Sequence, residues 1–411
     1  MLTRGWRHGT ALLAAAGLVS LTALTAAPAP DAAAAPADSI QGKEQWVLSM
    51  LNAQTAWSVT RGAGVTVAVI DSGVNPQVSD LSGSVITGPN YTGVTTRPSS
   101  KDWGVHGTWM ASLIAGHGHD GGLSGVTGTA PAARILSIRV IPDRADPHYG
   151  KYEREEEIVI QQSLANGIKY AVTHGAKVIS MSIGYSAPSN TVRAELQDAY
   201  DHGVVVIASA GNSGGPGSTK HGRPAPESFP ADYPGVISVS AVSASGTVAP
   251  FSSDNLSVKV AAPGVQVPAQ GRDGQYWLVS GTSPACALVA GVVALIKSKY
   301  PRLAPDLVAR ALTSTTTDRP ADGYDSQVGF GIVDAAAALT KAGRLAGVRP
   351  VATSIKGTVR YQGVLPPAPV RPRGSGQLIL FSLLALTSLV LIAAAGTRLA
   401  VFRRAQGRAN R

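Results

Sequence analysis

The chain has 411 residues, 44% of them hydrophobic and 15% charged, and a formal net charge of +10. This composition is compatible with a large buried core and argues against global disorder. The excess positive charge does not indicate nucleic-acid binding, because many basic residues lie at the two termini beside apolar segments, as in membrane-targeting sequences. A single cysteine excludes a disulfide within the chain.

The N-terminal segment has the features of a secretory signal peptide. Arg4 and Arg7 precede an apolar run over residues 11–27, which leads into an Ala- and Pro-rich stretch with small-residue cleavage sites. An uncleaved anchor is the alternative, but the run is Ala-rich and near the lower length limit for a membrane span. We therefore expect export, with the main domain outside the cytoplasm.

Short apolar, β-branched runs alternate with longer segments of helical periodicity between residues 45 and 345. The helix predicted over 155–174 places Ile160, Leu164 and Ile168 at steps of four. Runs this continuously apolar are typical of strands buried on both faces of a parallel sheet. The alternation predicts an α/β fold with a doubly wound, mostly parallel sheet flanked by helices. The runs are VTVAVI (65–70), RILSIRVI (134–141), KVISMSI (177–183), VVVIASA (204–210) and VISVSAV (236–242).

Polar side chains follow several of these runs, at the strand ends where open α/β sheets bind their ligands. Asp71 follows the first run and Asn212 the fourth, and His106 opens the helix-like stretch HGTWMASLIAG. Ser283 precedes a segment that is apolar almost all round, in which Pro284 is tolerable only in the first helical turn. Ser283 is therefore predicted at a helix N-terminus, where free N–H groups and the helix dipole stabilise an oxyanion.

These residue types can form a nucleophile, a base and an orienting carboxylate. A serine hydroxyl needs a base to take its proton, for which His106 is the candidate, and Asp71 is the candidate for holding the imidazole. Such chemistry needs no cofactor. In the alternative interpretation these residues are ordinary turn and cap residues. Cys286 could suggest a thiol protease, but one turn into a buried helix it is expected to be a small core residue.

Four blocks of the sequence resemble the subtilisin-like serine proteases: AVIDSGV at Asp71, HGT at His106, AGN at Asn212 and SGTS at Ser283. Aspartate, histidine and serine occur in the order of that family. The resemblance implies the subtilisin-like fold and a serine endopeptidase with Asp71, His106 and Ser283 as its catalytic triad. It also implies that Asn212 is the side-chain donor of the oxyanion hole. An inactive relative is the alternative.

The same resemblance assigns the substrate-binding segments. One segment would be an edge to which an extended peptide adds as a further strand, and the others would line the primary specificity pocket. The helix after the nucleophile departs from the family pattern, with Pro284 and Ala287 where Met and Pro are usual, which puts its local geometry in question. The predicted edge is Ser182, Ile183 and Gly184, and the predicted pocket comprises Ser209, Ala210, Gly211 and, near its floor, Ser228.

The C-terminal region indicates a membrane anchor. Residues 378–396 contain no charge, and these 19 residues (396 − 378 + 1) at about 1.5 Å rise nearly match a hydrocarbon core of about 30 Å. A buried core helix is the alternative, but the segment follows a Pro-rich linker and precedes an arginine cluster, which is expected to stay inside. The prediction is a single-pass protein of the cell membrane with an extracytoplasmic catalytic domain and a cytoplasmic C-terminus.

Several features together resemble the mycosins, the membrane-anchored proteases of actinobacterial type VII secretion systems. They are the opening QWVLSMLNAQTAWSVTRGAGVTVAVIDSGV, the GHGH loop, the Pro-rich linker and the C-terminal span. The resemblance implies secreted proteins as polypeptide substrates and the secretion machinery as a partner. A broad degradative surface protease and a mainly structural partner of a membrane complex remain alternatives.

The GHGH loop could also suggest a metal site. It contains His117 and His119 with Asp120 nearby, but three clustered ligands in a Gly-rich loop are not sufficient to assign one, and structural calcium is left open. The predicted organisation is a signal peptide and start of a tether (1–35), an N-terminal extension (36–44), the peptidase domain (45–345), a Pro-rich linker (346–377), a transmembrane helix (378–397) and a basic tail (398–411).

Overall fold

The computed structural model describes residues 37–122, 124–152, 157–214 and 225–347, and a few positions between 383 and 398. The described residues up to 347 belong to one compact unit and those from 383 onwards to another. The predicted signal peptide lies outside the described residues, as do nearly all of the linker and tail and most of the predicted span. The described positions of that span are helical.

The described residues up to 347 contain eleven strands, nine α-helices and two 3₁₀ helices, which are Ser79–Leu81 and Asp120–Gly122. The strands are β1 (Thr66–Asp71), β2 (Val85–Asn90), β3 (His117–His119), β4 (Ser124–Thr127), β5 (Arg134–Arg139), β6 (Val178–Met181), β7 (Val205–Ser209), β8 (Ile237–Val242), β9 (Val258–Pro263), β10 (Val267–Gln270) and β11 (Tyr276–Val279). The helices are α1 (Ala37–Met50), α2 (Ala53–Trp57), α3 (Val105–Ala115), α4 (Tyr149–Tyr152), α5 (Glu157–Thr173), α6 (Asn190–Asp201), α7 (Thr282–Lys299), α8 (Pro305–Thr313) and α9 (Ala335–Ala346).

Seven strands form one sheet in the order β2-β5-β1-β6-β7-β8-β9. Every pairing in it is parallel, which confirms the predicted parallel α/β architecture. The chain builds one side of the sheet with β2 and β5 and then crosses β1 to add β6 and the following strands. The carboxyl ends of β1 and β6 are therefore neighbours at the point where the direction of winding changes, which is where such sheets form their ligand crevice.

Both faces of the sheet are buried. In β1, Val67 and Val69 join a core cluster that also contains residues of α3, α7, α8 and α9. Ala68 and Ile70 point to the opposite face and join a second cluster with residues of α5 and α6. Because side chains alternate along a strand, helices on both faces require strands that are apolar at every position, and the sequence of β1 satisfies that requirement.

Helix α7 is the central element of the first core. It is buried over nearly its whole circumference and packs against β6 to β9. Among the described residues it is the one helix long and apolar enough to cross a membrane, but its burial against the sheet identifies a core helix. At its C-terminal end Lys297 is buried and donates to the carbonyls of Gly203 and Leu303. Burial, with a contribution from Lys177, lowers the pKa of Lys297 to about 8.

Helix α1 crosses the predicted boundary at residue 45. It spans Ala37–Met50 and contacts β4 and β10, so the predicted extension over 36–44 is mostly helical and packed on the domain. Ile40 and Val47 are buried, and the buried Glu44 carboxylate between them accepts the Thr127 N–H at 2.9 and 3.1 Å. These buried positions recur at steps of three and four, the period of a helix with one buried face.

The buried carboxylate of Glu44 predicts a pH-dependent cost to stability. Burial raises the pKa of Glu44 well above its ordinary value; the hydrogen bond from Thr127 opposes this and Asp80 adds to it. The carboxylate is therefore harder to ionise in the folded chain than in the unfolded one. Folding stability falls as pH rises from the unfolded Glu pKa, about 4.3, through the folded pKa, and the loss is complete above the latter.

We expect Glu44→Gln to raise the free energy of unfolding at pH 8 by roughly 1 kcal/mol, because the amide oxygen still accepts the Thr127 N–H without a buried charge. The gain should disappear at about pH 3, where glutamate is protonated in both states. Urea unfolding at the two pH values measures it. The exposed Glu227→Gln serves as the control, and an equal effect of Glu44→Gln at both pH values would contradict the prediction.

Candidate active site

The predicted site residues meet at the carboxyl edge of the parallel sheet. Asp71 is the last residue of β1, His106 lies in the first turn of α3 and Ser283 in the first turn of α7. Asn212 follows β7 after two intervening residues. Because α3 packs against both β1 and α7, the three secondary-structure elements bring these side chains to one place.

Asp71 and His106 form a direct pair. The Asp71 carboxylate is 1% exposed and its Oδ1 lies 2.8 Å from His106 Nδ1. Oδ1 also accepts the Ser72 N–H at 2.7 Å, whereas Oδ2 has no hydrogen-bond partner among the described residues. An ionised carboxylate only accepts hydrogen bonds, so Nδ1 carries the proton and the neutral ring keeps the Nε2 lone pair. The imidazole is thus held in the tautomer that a general base requires.

The charges around His106 favour its protonated form. Burial by itself lowers the pKa of this imidazole, but the Coulombic attraction of Asp71, the hydrogen bond to Asp71 and the charge of Asp143 outweigh it. Arg144 opposes them, and the net result is a pKa above the ordinary histidine value of 6.5. The site therefore stabilises an imidazolium, the species that forms when the base accepts a proton.

The first turn of α7 presents a hydroxyl and a free N–H at the same residue. Ser283 is half-buried, and its Oγ donates to the Ser182 carbonyl at 3.5 Å rather than to His106. The Thr282 N–H is already bonded to Asn212 and Pro284 has none, so the Ser283 N–H is the free donor of this turn among the described residues. The hydroxyl must turn from Ser182 towards the imidazole for proton transfer, and catalytic contacts are often loose without substrate.

Asn212 is fixed in one orientation by its neighbour in α7. Its Oδ1 accepts the Thr282 N–H at 2.9 Å and the Thr282 hydroxyl at 3.0 Å. These two donors assign the amide oxygen, which leaves Nδ2 as the donor on the other side. A Cβ placed on Gly281 would lie 3.5 Å from Nδ2, so the amide N–H₂ group lies beside the start of α7 on an exposed residue.

The predicted substrate-binding residues also come together. A Cβ on Gly184 would lie 2.8 Å from Ser228 Oγ, and one on Gly211 would lie 3.3 Å from the same atom. Ser182 joins this group to the predicted nucleophile Ser283, because its hydroxyl donates to the Ser283 carbonyl at 3.2 Å. The backbone groups of Ile183 and Gly184 make no hydrogen bond among the described residues, so they are open to an added peptide strand. Ser209 and Ala210 are buried where β7 ends.

The structure removes the alternative nucleophile. Cys286 is fully buried inside α7, with its Sγ 3.7 Å from the Met181 carbonyl and 3.8 Å from Ser180 Oγ. Burial raises the pKa of this thiol to about 12. A thiolate is the reactive form of cysteine, so Cys286 is a core residue, as the helical spacing predicted.

The histidines of the GHGH loop have protein partners. His117 contacts the carbonyls of Gly118 and Ser82 at 2.7 and 3.0 Å. His119 Nδ1 lies 2.7 Å from Asp80, whose other oxygen accepts the Val126 N–H at 2.8 Å. These contacts hold the loop against the 3₁₀ turn around Asp80.

Sequence reasoning missed one carboxylate of the site. Asp143 lies just beyond β5, and its two oxygens accept the N–H groups of Val105 and His106 at 2.9 and 2.8 Å. Its position after the apolar run RILSIRVI is the same signal that identified Asp71. The signal was present, but Pro142 and the absence of a family motif around it left Asp143 without an assigned role.

Comparison with known proteins places this geometry in a family. The profile of the Subtilase family (Peptidase_S8) matches residues 62–331. Fervidolysin from Fervidobacterium pennivorans is 35% identical over 72% of the chain, which spans 44% of that relative's length. Subtilisin DY from Bacillus licheniformis is 34% identical over 68% of the chain and 92% of its own. A solved structure of the MycP3 protease from the type VII (ESX-3) secretion system is 32% identical, with a TM-score of 0.60, and covers 72% of this chain and 87% of its own.

Proposed function

Because the chain belongs to the subtilase family and is a subtilisin-like serine protease, we propose that Asp71, His106 and Ser283 are its catalytic triad. The reaction is hydrolysis of a peptide bond through an acyl-enzyme. The observation that carries the assignment is the 2.8 Å contact between His106 Nδ1 and the buried Asp71 carboxylate, on an element that packs against the helix bearing Ser283. This contact leaves Nε2 available to the nucleophile.

The reaction has two stages, acylation and deacylation, and His106 transfers a proton in each. His106 Nε2 takes the hydroxyl proton as Ser283 Oγ attacks the scissile carbonyl carbon, and the imidazolium returns it to the departing amine. In deacylation the same nitrogen takes a proton from water as the water oxygen attacks the ester carbon, and the imidazolium then gives that proton to the departing Ser283 Oγ, which releases the acid. The buried Asp71 balances the transient positive charge, which the raised pKa of His106 supports.

The oxyanion of each tetrahedral intermediate needs donors that are already in place. The free N–H of Ser283 and the Nδ2 group of Asn212 are suited to this role, because Thr282 fixes the other end of the amide. A preorganised donor stabilises developing charge without reorganising. Loss of one such donor costs about 100- to 1,000-fold in turnover in subtilisin, and a loss of the same order is expected here.

A serine-directed phosphonate should label Ser283 in the full-length chain, and His106→Ala should reduce the labelling rate at least about 100-fold, since the hydroxyl loses its base. Ser283→Ala should abolish labelling. His202→Ala, on an exposed histidine at the end of α6, is the matched control and should label normally. Labelling that survives in His106→Ala with an unchanged rate would remove His106 from the triad.

The pocket proposal rests on the contact between Ser228 and the two glycines. Gly184 and Gly211 flank the Ser228 hydroxyl, so a small polar residue forms the floor and no side chain narrows the walls at these positions. Such a pocket suits a small to medium uncharged side chain before the scissile bond. One methylene is worth only about 1–3 kcal/mol in an apolar pocket, so the preference is graded.

We expect Ser228→Phe to shift cleavage towards peptides with Ala or Gly before the scissile bond, because the ring fills the floor. A peptide library with equimolar residues at that position measures kcat/KM for each. Ser257→Phe, a partly buried serine beyond β8, controls for a general effect of the added ring. Strict cleavage after Arg or Lys, or an unchanged profile in Ser228→Phe, would reject the pocket assignment and leave the triad intact.

We further propose that the protease is anchored by residues 378–397, with its catalytic domain outside the cytoplasm and its C-terminus inside. The charge-free stretch and the arginines after it support this. The likeness to MycP3, a protease from a type VII secretion system, supports secreted proteins as substrates. Broad surface degradation and a mainly structural role in a secretion complex are the competing functions.

Three strains separate these functions: wild type, Ser283→Ala, and a chain ending at residue 347. The wild type should generate a small set of new N-termini among secreted proteins, and Ser283→Ala should lose them while its C-terminal tag stays protected from protease added to intact cells. The shortened chain should appear in the medium. Secretion that requires the protein but not Ser283 would favour the structural role, and unselective cleavage would favour degradation.

A further inference from the structure

The helix that carries His106 lacks a capping side chain of its own. Its N-cap residue is Gly104, in the left-handed conformation with φ of 70°, and its first turn contains no acidic residue. A Cβ on Gly104 would lie 3.0 Å from the backbone C and O of Gly73, so the close approach of α3 to the turn after β1 leaves little room for a side chain. The first N–H groups of the helix therefore need an acceptor from elsewhere.

Asp143 supplies that acceptor from another part of the fold. Its Oδ2 accepts the Val105 N–H at 2.9 Å and its Oδ1 accepts the His106 N–H at 2.8 Å. The side chain is 5% exposed. The loop that bears it is tied to β1, since Val140 N–H donates to the Asp71 carbonyl at 2.8 Å. One carboxylate thus connects the backbone of the base to the strand that bears its partner.

We propose that Asp143 is a positioning residue of the peptidase, which caps α3 so that the His106 ring is held against Asp71 and which places a second negative charge beside the imidazole. The inference rests on the proposed triad. It adds a fourth side chain to the site, one that touches neither the substrate nor the reacting atoms. Its action is through the backbone of residue 106 and through its charge.

The charged groups around the imidazole come from three elements. Asp71 on β1 and Asp143 after β5 attract the imidazolium, and Arg144 opposes them. From the β10–β11 turn, Arg272 interacts with Asp143. The pKa of Asp143 is raised above its ordinary value by burial and, to a smaller extent, by the charge of Asp71, against the opposing effect of its donors, the His106 N–H, the Val105 N–H and the Ser72 hydroxyl.

The direction in which the Asp143 charge shifts the pH profile of kcat/KM follows from the role of His106 as the base. Only the neutral imidazole accepts a proton from Ser283, so kcat/KM rises with pH around the pKa of His106. Asp143 contributes to raising that pKa. Removal of its charge should therefore move the acidic limb of the profile to lower pH, whereas a merely structural defect would lower activity at every pH without moving the limb.

Two substitutions of Asp143 separate the cap from the charge. Asn keeps one acceptor oxygen but no charge, and its amide nitrogen faces one of the two backbone N–H groups that Asp143 accepts, so Asp143→Asn should move the acidic limb down by about 0.5 pH unit with a smaller loss of plateau kcat than Asp143→Ala. Asp143→Ala removes both the cap and the charge. It should also lower plateau kcat about 10- to 100-fold, because a His106 ring displaced from its position transfers the proton less efficiently. The full-length chain is assayed in detergent, with active sites titrated by phosphonate.

Asp102→Asn is the matched control. Asp102 also faces Arg272, but its side chain makes no hydrogen bond to α3 among the described residues. We expect its pH profile to match the wild type. If the acidic limb does not move in Asp143→Asn, the proposed effect of the Asp143 charge is wrong. If plateau kcat is unchanged in Asp143→Ala, the proposed role of Asp143 as the cap of α3 is wrong. If Asp143→Ala does not fold, Asp143→Asn still decides the charge role. A wild type that fails to react with phosphonate would instead reject the triad.

Discussion

The contact between His106 and the buried carboxylate of Asp71 is the interaction on which the site depends, and the fold is built closely around it. A buried carboxylate without partners is costly, and here one oxygen has no hydrogen bond among the described residues. Helix α3 reaches the carboxylate only because it lies against the turn after β1. A Cβ on Gly107 would lie 2.2 Å from the Gly73 carbonyl oxygen, so glycine at 107 permits the 2.8 Å contact.

The sheet supplies the rigid frame for this contact. Asp71 ends a strand that is paired on both sides, with β5 and with β6, and that is buried on both faces. The neighbouring strands therefore deliver Asp143 from one side and Ser182 from the other to the same edge. The opposite wall of the site is the start of α7, whose apolar circumference fixes it in the core. The positions of the polar side chains at the carboxyl edge of the sheet are thus fixed by packing in the apolar interior.

The sequence predicted most of this frame, because buried parallel strands have a continuous apolar pattern. It did not predict β2 and β9. The sequence VITGPN of β2 contains Gly and Pro, and its partly exposed burial pattern suits an edge strand. The other missed strand, VKVAAP, has an interrupting lysine and a terminal proline. Helix α1 was missed because its buried positions are few and one of them is a glutamate, Glu44, which reads as a surface residue until its contact with Thr127 is known.

The side chains that meet at this edge were predictable where a motif or a strand end singled them out, and Asp143 shows the limit of that approach. Its role depends on a helix that begins 38 positions earlier in the chain (143 − 105) and on a cap that Gly104 cannot provide. Capping from a distant loop has no local sequence signature, unlike the usual Ser, Thr, Asp or Asn at the N-cap itself. The register of β5 against β1, which fixes the loop, had to be known first.

Two apolar segments of similar length differ in the polar residues that the sequence places at their ends. Residues 378–396 and α7 are both long enough to cross a bilayer by composition, but α7 contains Ser283 at its start and a buried Lys297 near its end. The lysine is satisfied by two backbone carbonyls, which a helix surrounded by lipid would not offer. Hydropathy alone therefore does not separate a core helix from a span, whereas the burial of α7 against the sheet and the internal partners of Lys297 identify a core helix.

The reciprocal contacts between Ser182 and Ser283 connect the proposed substrate-binding edge with the proposed nucleophile. Ser182 Oγ donates to the Ser283 carbonyl at 3.2 Å, and Ser283 Oγ donates to the Ser182 carbonyl at 3.5 Å. The first bond joins the start of α7 to Ser182, and the two residues that follow, Ile183 and Gly184, have open backbone groups among the described residues. The second, at 3.5 Å, is weak enough for the Ser283 hydroxyl to exchange it for the imidazole. The same serine pair thus aligns the proposed edge with Ser283 without holding the hydroxyl away from His106.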